Sequence, residues 1–261
     1  MVLLVTSCGS SPVDDQKDPN TARYGTWSWD GSKWSQLART NAGKTVYPDQ
    51  LFYAASVGGL INVKGTRWNG AEWVGNDIAF SLPEPTNDLP ASMVVDEANS
   101  QLLFFDSNAR TIWAWSRGGW TRVLPPSQWP PANSLSSPLG GIRVGAIAYD
   151  PTRHVVLMLS CCSPEVSAPE SAIWRTSAWD GRALRKVSES PNLVGNYLVP
   201  DGLGHMLAFG PKGFIWDGKG WAPLPSESAL PDGVESVAAD PAHRQIVAVG
   251  QGRSWRWHNG T

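Results

Sequence analysis

The segment Thr26-Trp27-Ser28-Trp29-Asp30-Gly31-Ser32-Lys33-Trp34 contains the pattern that decides the fold, because it recurs along the chain. In each copy an aromatic strand leads into an Asp-Gly, Asn-Gly or similar tight turn, and a second tryptophan stands five residues after the first. The further copies begin at Trp68, Trp115, Trp179, Trp216 and Trp257, with Leu184 in the second position of the Trp179 copy. Fourteen of the 15 tryptophans lie in or beside these hairpins. Repeats spaced by about 40 residues indicate stacked modules that bury their cores against one another.

A second pattern separates the tryptophan hairpins. It consists of a short apolar strand ending at an aspartate, a turn, and a strongly apolar strand, as in Ala146 to Asp150 followed by Val155 to Leu159. The aspartates in this position are Asp49, Asp96, Asp150, Asp201 and Asp240. Together the two patterns predict four strands per module, which we name a, b, c and d. In the first such module they predict Leu51 to Tyr53 as strand b.

Turn chemistry then predicts how strands c and d pair. Asp-Gly and Asn-Gly favour the positive φ angles of a two-residue hairpin. With that loop Trp27 lies opposite Trp34, and Trp113 lies opposite Trp120. A sheet that presents such a row of large rings needs another sheet packed against it.

The sequence therefore predicts an all-β fold, a β-propeller of five to six four-stranded blades, with six preferred. The first copy offers only strands c and d, and the last copy stops at Thr261, before its second tryptophan. We therefore expect the ring to be incomplete, or closed by the N-terminal hairpin.

The repeat resembles that of the bacterial kelch-type β-propellers, the family to which the galactose-oxidase propeller also belongs. The resemblance rests on Tyr149-Asp150-Pro151-Thr152-Arg153-His154-Val155-Val156-Leu157, on Gly58-Gly59 after strand b, and on the Trp-Asp-Gly-x-x-Trp hairpins. It covers residues 26–261, although most copies lack the double glycine. It implies a fold and no particular activity, since propellers host unrelated functions.

The N-terminus resembles a bacterial lipoprotein signal, in which small residues precede a lipidated cysteine. Here Val5-Thr6-Ser7-Cys8 has that form, after an apolar stretch too short to span a bilayer. We interpret residues 1–8 as a partial lipoprotein signal peptide, residues 9–25 as a flexible tether and residues 26–261 as the kelch-like propeller. The expected protein is bacterial and exported, faces outward, and is anchored in the cell membrane by lipid on Cys8. The alternative is a frayed N-terminus with a chance cysteine.

Charge and titratable residues exclude several functions. The net charge is -2 and no basic run is present, so the electrostatic footprint of a nucleic-acid binder is missing. Three histidines, His154, His205 and His243, occupy the same a-to-b turn in successive modules and cannot converge on one metal ion. The recurring aspartates cap turns, which is a structural use. We therefore expect no metal, no cofactor and no catalytic residue.

Three long connections are the candidate ligand-binding regions: residues 76–91, 125–143 and 160–171. In a propeller the b-to-c and d-to-a connections emerge at one face, and long loops on a rigid scaffold are where function is usually placed. The candidate ligand-binding residues are Trp129, Cys161, Cys162, Glu165 and Glu170.

Trp129 is the one tryptophan outside the repeat, and an exposed ring beside Glu165 and Glu170 suits a protein partner or a cell-wall glycan. The alternative for Trp129 is that it folds back over a blade edge. The alternative for Cys161 and Cys162 is two small buried residues at a strand end.

The sequence thus predicts a non-catalytic binding or scaffold propeller. The alternatives are a glycan hydrolase or oxidase, and a truncated, functionless propeller copy.

Overall fold

The computed structural model describes residues 2–7, 24–40, 51–54, 59–62, 67–74, 93–106, 109–116, 119–129, 143–161, 173–191, 193, 195–225, 230–250 and 253–258. These residues form 22 β-strands in six antiparallel sheets, and one short 3-10 helix at Pro126–Gln128. The chain divides into two compact units, Met1–Pro85 and Thr86–Thr261. We number the sheets 1 to 6 in chain order.

The first unit contains sheets 1 and 2. Sheet 1 has the strand order β1 (Val2–Ser7), β2 (Tyr24–Trp29) and β3 (Trp34–Thr40). Sheet 2 has the order β4 (Leu51–Ala54), β5 (Gly59–Asn62), β6 (Arg67–Trp68) and β7 (Trp73–Val74).

Two features of the first unit differ from expectation. Leu51–Ala54 is strand a and not strand b, and Gly59 opens strand b instead of following it. Gly58-Gly59 is therefore not at the position that the kelch resemblance assigned to it. The segment Val2–Ser7, expected as part of a signal peptide, pairs antiparallel with β2 from Val2 opposite Trp29 to Ser7 opposite Tyr24.

The second unit contains sheets 3 to 6. Sheet 3 is β8 (Met93–Asp96), β9 (Gln101–Asp106), β10 (Thr111–Ser116) and β11 (Gly119–Leu124). Sheet 4 is β12 (Arg143–Asp150), β13 (Val155–Cys161), β14 (Ile173–Trp179) and β15 (Leu184–Pro191). Sheet 5 is β16 (Tyr197–Pro200), β17 (Met206–Phe209), β18 (Gly213–Trp216) and β19 (Trp221–Pro223). Sheet 6 is β20 (Ser236–Asp240), β21 (Gln245–Gly250) and β22 (Arg253–Trp257).

Within the second unit the sheets stack as propeller blades. Their first strands β8, β12, β16 and β20 lie next to one another in that order. Side chains alternate along strand b, so that a sheet lying between two others presents apolar residues to both of them. In β13, Val156 and Met158 pack towards sheet 3, whereas Leu157 and Leu159 pack towards sheet 5. The predicted all-β propeller fold is confirmed, with six sheets among the described residues, four of them four-stranded.

The tryptophan hairpins form with a register different from the predicted one. Trp29 lies opposite Trp34, and Trp27 lies opposite Gln36. Trp115 likewise lies opposite Trp120, and Trp113 opposite Arg122. The predicted Trp27–Trp34 and Trp113–Trp120 pairs were therefore wrong.

The register of the first hairpin differs from the predicted one because its loop has four residues, 30–33, and not two. The Asp30 carboxylate accepts hydrogen bonds from the backbone N–H groups of Ser32 and Lys33, both at 2.9 Å, while Asp30 N–H donates to the Lys33 carbonyl. The loop of residues 30–33 thus sets the two flanking tryptophans opposite each other, with ring centroids 5.2 Å apart.

A hydrogen bond joins neighbouring sheets through the second tryptophan of the hairpin. In the second unit Trp221 Nε1–H, on strand d of sheet 5, donates to Thr176 Oγ1, on strand c of sheet 4, at 2.7 Å. In the first unit Trp73 Nε1–H donates to Thr26 Oγ1 at the same distance and between the same strand positions.

The interface between sheets 3 and 4 has two apolar residues at the positions of this hydrogen bond. Leu184 replaces the second tryptophan there, and the residue in the threonine position of sheet 3 is Ile112. Both are buried in one apolar cluster. The interface therefore holds either a donor with an acceptor or two apolar groups, as the cost of an unsatisfied buried polar group requires.

This pairing predicts that Thr176→Val destabilises the protein. The substitution keeps the side-chain volume but leaves Trp221 Nε1–H without its acceptor, so we expect a loss of about 1–3 kcal/mol in the free energy of unfolding. The double variant Thr176→Val with Trp221→Leu copies the Ile112–Leu184 pairing. Its loss in free energy of unfolding should be smaller than the sum of the losses of the two single variants. Urea unfolding measures all three variants.

The exposed Thr121→Val in β11 is the matched control, with an expected change within about 0.5 kcal/mol. Strict additivity of Thr176→Val and Trp221→Leu would show that the two residues are not coupled.

Candidate functional site

The two ends of sheet 4 differ in their connections, and this difference locates the candidate site. Arg143, the first residue of β12, lies opposite Cys161, the last residue of β13. The residue that follows the 130–142 connection and the residue that precedes the 162–172 connection are therefore neighbours on the sheet. At the opposite end, only the tight turns 151–154 and 180–183 join the strands. We call the first end the long-loop end and the second the turn end.

Trp129 lies at the base of the 130–142 connection and is buried, with 7% of its surface exposed. The 3-10 helix Pro126–Gln128 precedes it, and Trp129 N–H donates to the Pro126 carbonyl at 3.2 Å. Its ring belongs to the apolar cluster between sheets 3 and 4, with Leu124 and Val156. The expectation of an exposed Trp129 was therefore wrong, and the burial supports the alternative in which the ring covers a blade edge.

The other predicted site residues are only partly described. Cys161 is half-buried and packs against the apolar cluster between sheets 4 and 5. Cys162, Glu165 and Glu170 lie outside the described residues. Trp129 and Cys161 are thus the last described residues before two long connections, and the side chain of each packs in an inter-sheet core.

Close packing around Trp174 was missed by sequence reasoning. Trp174, the second residue of β14, is buried where the 162–172 connection returns to the sheet. Its ring covers Gly145, where a side chain would overlap both the ring and the Gly195 backbone. A glycine inside a strand is a signal of such close approach. Gly145 and Gly195 were the available sequence clues.

Charged groups near the long-loop end lie on the two outer strands of sheet 4. Arg175 and Glu189 are opposite each other on β14 and β15, with Nε and Oε1 3.8 Å apart. Lys186 Nζ is 3.2 Å from the same carboxylate. This part of the surface therefore carries both signs of charge.

At the turn end Asp96, Asp150 and Asp201 cap their a-to-b turns, as predicted, whereas Asp240 Oδ2 bonds the side chains of His243 and Gln245. Asp150 Oδ1 accepts the backbone N–H groups of Thr152 and Arg153 at 3.0 and 3.1 Å. Asp201 Oδ1 accepts those of Leu203 and His205 at 2.7 and 3.0 Å. The described turn carboxylates are buried: Asp96, Asp150, Asp201 and Asp240.

The turn histidines interact with their own turns. His205 Nδ1 is 2.8 Å from Asp201 Oδ2, and His243 Nδ1 is 2.7 Å from Asp240 Oδ2. Burial raises the pKa of Asp240, but hydrogen bonds from Gln245 and His243 outweigh it, so this pKa lies below its ordinary value. Among the described residues, no group of three or more His, Cys, Asp or Glu side chains could hold a metal ion.

Arg153 links the a-to-b turn of sheet 4 to the next sheet. Its guanidinium binds Asp150 Oδ2 at 2.8 Å and also donates to the backbone carbonyls of Gly204 and Asp217 in sheet 5. Asn99 occupies the equivalent position in sheet 3 and lies against Gly181 of sheet 4. The turn end thus joins neighbouring sheets through backbone and side-chain contacts.

Known proteins resemble this chain only distantly. No protein-family model and no curated protein matches it. A chain from the nidogen/laminin complex is 11% identical over 98% of this chain and 92% of its own length, with a TM-score of 0.48. YCF48 bound to D1 peptide is 10% identical over 91% of this chain and 72% of its own length, with a TM-score of 0.48. A gluconolactonase from Xanthomonas campestris is 12% identical over 65% of this chain and 72% of its own length, with a TM-score of 0.33. None of these three is described as a kelch propeller, so the kelch type stays a prediction. No helix of the described residues is long and apolar enough to cross a membrane.

The burial of Trp129 predicts that Trp129→Ala lowers stability. Replacing a buried aromatic by alanine costs about 3–5 kcal/mol, which is large beside the roughly 5–15 kcal/mol of a typical protein. Denaturant unfolding measures the loss. The neighbouring exposed Gln128→Ala is the control and should change stability by less than about 0.5 kcal/mol. Unchanged stability in Trp129→Ala would restore Trp129 as a candidate ligand-binding residue.

Proposed function

We propose that this chain is a non-catalytic binding scaffold that recognises a protein partner or a cell-wall glycan through the long-loop end of sheet 4. The observation that carries the proposal is the asymmetry of that sheet. One long connection ends at Arg143, directly opposite Cys161, where the next one starts, while tight turns close the opposite end.

The anchoring of these connections supports a binding role. Trp129 is buried at the start of the 130–142 connection, and Trp174 is buried just after the 162–172 connection. Rigid attachment points lower the entropy that a loop loses when it binds a ligand.

The chemistry of the polar groups favours binding over catalysis. At the turn end, Asp150 and Asp201 accept hydrogen bonds from the turn backbone, and the His205 and His243 rings pair with Asp201 and Asp240. In the 162–172 connection Glu165 and Glu170 supply negative charge. Carboxylates can accept hydrogen bonds both from sugar hydroxyls and from basic peptide side chains, and both ligand classes therefore belong in the test.

The proposal predicts that loop carboxylates determine binding. The purified full chain is screened against arrays of cell-wall glycan fragments and a displayed peptide library, and each binder is measured on variants by calorimetry. Glu165→Lys with Glu170→Lys should weaken binding at least about tenfold, equivalent to 1.4 kcal/mol. The control with the same charge change is Glu72→Lys with Glu97→Lys, two exposed turn residues.

Binding that is equally sensitive in the control would move the site away from the long-loop end. Mass spectrometry of the recovered glycans checks the enzymatic alternative, since cleaved or oxidised sugars would contradict a non-catalytic role.

We further propose that the protein is a bacterial lipoprotein anchored through Cys8, with the scaffold facing outward. The lipobox-like Val5-Thr6-Ser7-Cys8 supports this proposal. Two or more acyl chains anchor a protein stably, whereas one chain binds only marginally. Cleavage before Cys8 would remove Val2–Ser7, which pairs with β2 in sheet 1. Sheet 1 of the mature protein would then consist of the β2–β3 hairpin.

The mature N-terminus tests the anchor. In cells fed a fatty-acid analogue, we expect label on Cys8 and a mature protein that begins there, as read by mass spectrometry. Cys8→Ser should abolish labelling and release the protein from membranes, whereas the control Cys162→Ser should leave both unchanged. A mature chain that retains Val2–Ser7 would overturn the anchor and make β1 a permanent strand of sheet 1.

A further inference from the structure

The capped hairpin of sheet 2 differs from those of sheets 1, 4 and 5 in its first loop residue. Here that residue is Asn69, followed by Gly70, whereas the other three hairpins are capped by an aspartate: Asp30, Asp180 and Asp217. An amide oxygen and a carboxylate oxygen accept the same backbone hydrogen bonds. An amide, unlike an ionised carboxylate, can also lose ammonia when a nucleophile attacks its carbon. Asn69 is therefore the chemically reactive residue of this set.

The backbone nitrogen of Gly70 is the nucleophile closest to Asn69 along the chain, and a bond from it to Asn69 Cγ closes a five-membered ring. Both residues are exposed in the loop. Gly70 has no side chain to hinder the attack, and apart from its chain neighbours no described residue lies within 4 Å of the place where its Cβ would stand. By contrast, the Asn99 side chain covers the corresponding Gly181 of sheet 4. The sheet 2 hairpin thus leaves room for the ring to form.

The loop also holds the oxygen on which charge develops during such an attack. Asn69 Oδ1 accepts the backbone N–H groups of Ala71 and Glu72, both at 2.9 Å. When a nitrogen adds to Cγ, negative charge moves onto Oδ1, and two backbone donors directed at it stabilise that charge as an oxyanion hole does. The donors are fixed by the loop itself, because Asn69 N–H donates to the Glu72 carbonyl at 3.1 Å. The cap therefore activates the amide that it holds.

We propose that Asn69 is a self-modification site, at which the hairpin converts the asparagine to aspartate. The Gly70 nitrogen bonds to Asn69 Cγ, and Nδ2 leaves as ammonia with the Gly70 proton, which closes a succinimide ring. Water then breaks the new bond, leaving its oxygen on Cγ and returning a proton to the Gly70 nitrogen. Water is the only co-reactant, and no electrons are gained or lost. The modified chain carries one additional negative charge in the loop of sheet 2.

The aspartate hairpins show why the product is stable. Hydrogen bonds from the backbone N–H groups of Lys33 and Ser32 lower the pKa of Asp30 to about 2. An aspartate closes the same ring only when its carboxyl group is protonated, because hydroxide or water must leave. A carboxylate held in this loop stays ionised at neutral pH and is therefore unreactive. The conversion at Asn69 thus runs in one direction.

The hairpin also selects between the two ways of opening the ring. Opening at the other ring carbonyl gives isoaspartate, which adds one atom to the backbone of the loop. That extra atom disturbs a loop that sets Trp68 opposite Trp73, with ring centroids 5.4 Å apart. Aspartate keeps the loop length of the other hairpins. We therefore expect aspartate as the main product in the folded chain. The site lies in sheet 2, so the inference goes beyond the proposed function at sheet 4.

The test incubates the purified full chain in water labelled with heavy oxygen and follows position 69 by peptide mapping with mass spectrometry. We expect loss of ammonia and uptake of one heavy oxygen, at a rate at least equal to that of a blocked synthetic peptide of residues 66–75. Asn99 in the same digest is the internal control, because it is also exposed but its Nδ2–H donates to Asp96 Oδ2 at 2.8 Å. Asn99 should take up no label.

The variant Asn69→Asp supplies the reference for the modified form. It should elute with the aged fraction on anion exchange, take up no label at position 69, and keep the urea midpoint of the fresh protein. Three results would overturn the inference: slower conversion in the folded chain than in the peptide, equal labelling of Asn69 and Asn99, or isoaspartate as the main product of the folded chain. Binding at the long-loop end is measured separately, so the two proposals fail independently.

Discussion

The fold depends on one small interaction, the capping of the tryptophan hairpin by its own first loop residue. In four hairpins a side-chain oxygen accepts the backbone N–H groups two and three residues later, at 2.8 to 3.0 Å. The capping residues are Asp30, Asn69, Asp180 and Asp217. The bonds from Lys33 and Ser32 lower the pKa of Asp30 to about 2. Because this loop sets the register, it also sets which large side chains meet on the face that the neighbouring sheet covers.

The fold could be predicted from the sequence because the tryptophan hairpin occurs six times along the chain. A single Trp-Asp-Gly turn is weak evidence, but six copies with an apolar strand pair between them leave few architectures that bury every copy. The register of the hairpin could not be predicted in the same way. Asp-Gly fits a two-residue loop and a four-residue capped loop equally well, and the choice depends on whether the Asp30 side chain bonds the backbone. Leu51–Ala54 was misplaced for a related reason, since four apolar residues fit strand a and strand b alike.

The strand ends that flank the long connections were predictable, whereas the placement of Trp129 was not. The long connections follow from the spacing of the strands, and their common origin follows from antiparallel pairing. Trp129 is a different case, because a residue outside the repeat has no other copy to show where its side chain points. Its burial depends on Leu124 and Val156, which belong to two different sheets. The capping role of Asp96, Asp150 and Asp201 was predicted correctly because their recurrence at one position indicates a structural cause.

The Thr176–Trp221 bond and the Ile112–Leu184 contact also restrict how the repeats can be rearranged. Although the hairpins look interchangeable, those of sheets 4 and 5 each match the sheet that precedes them. Moving the sheet 5 hairpin behind sheet 3 would set an indole N–H against Ile112, and the reverse move would leave a threonine hydroxyl facing leucine. The sheets therefore have a preferred order, and shuffling or duplication of single repeats would succeed only when a strand c and the following strand d travel together.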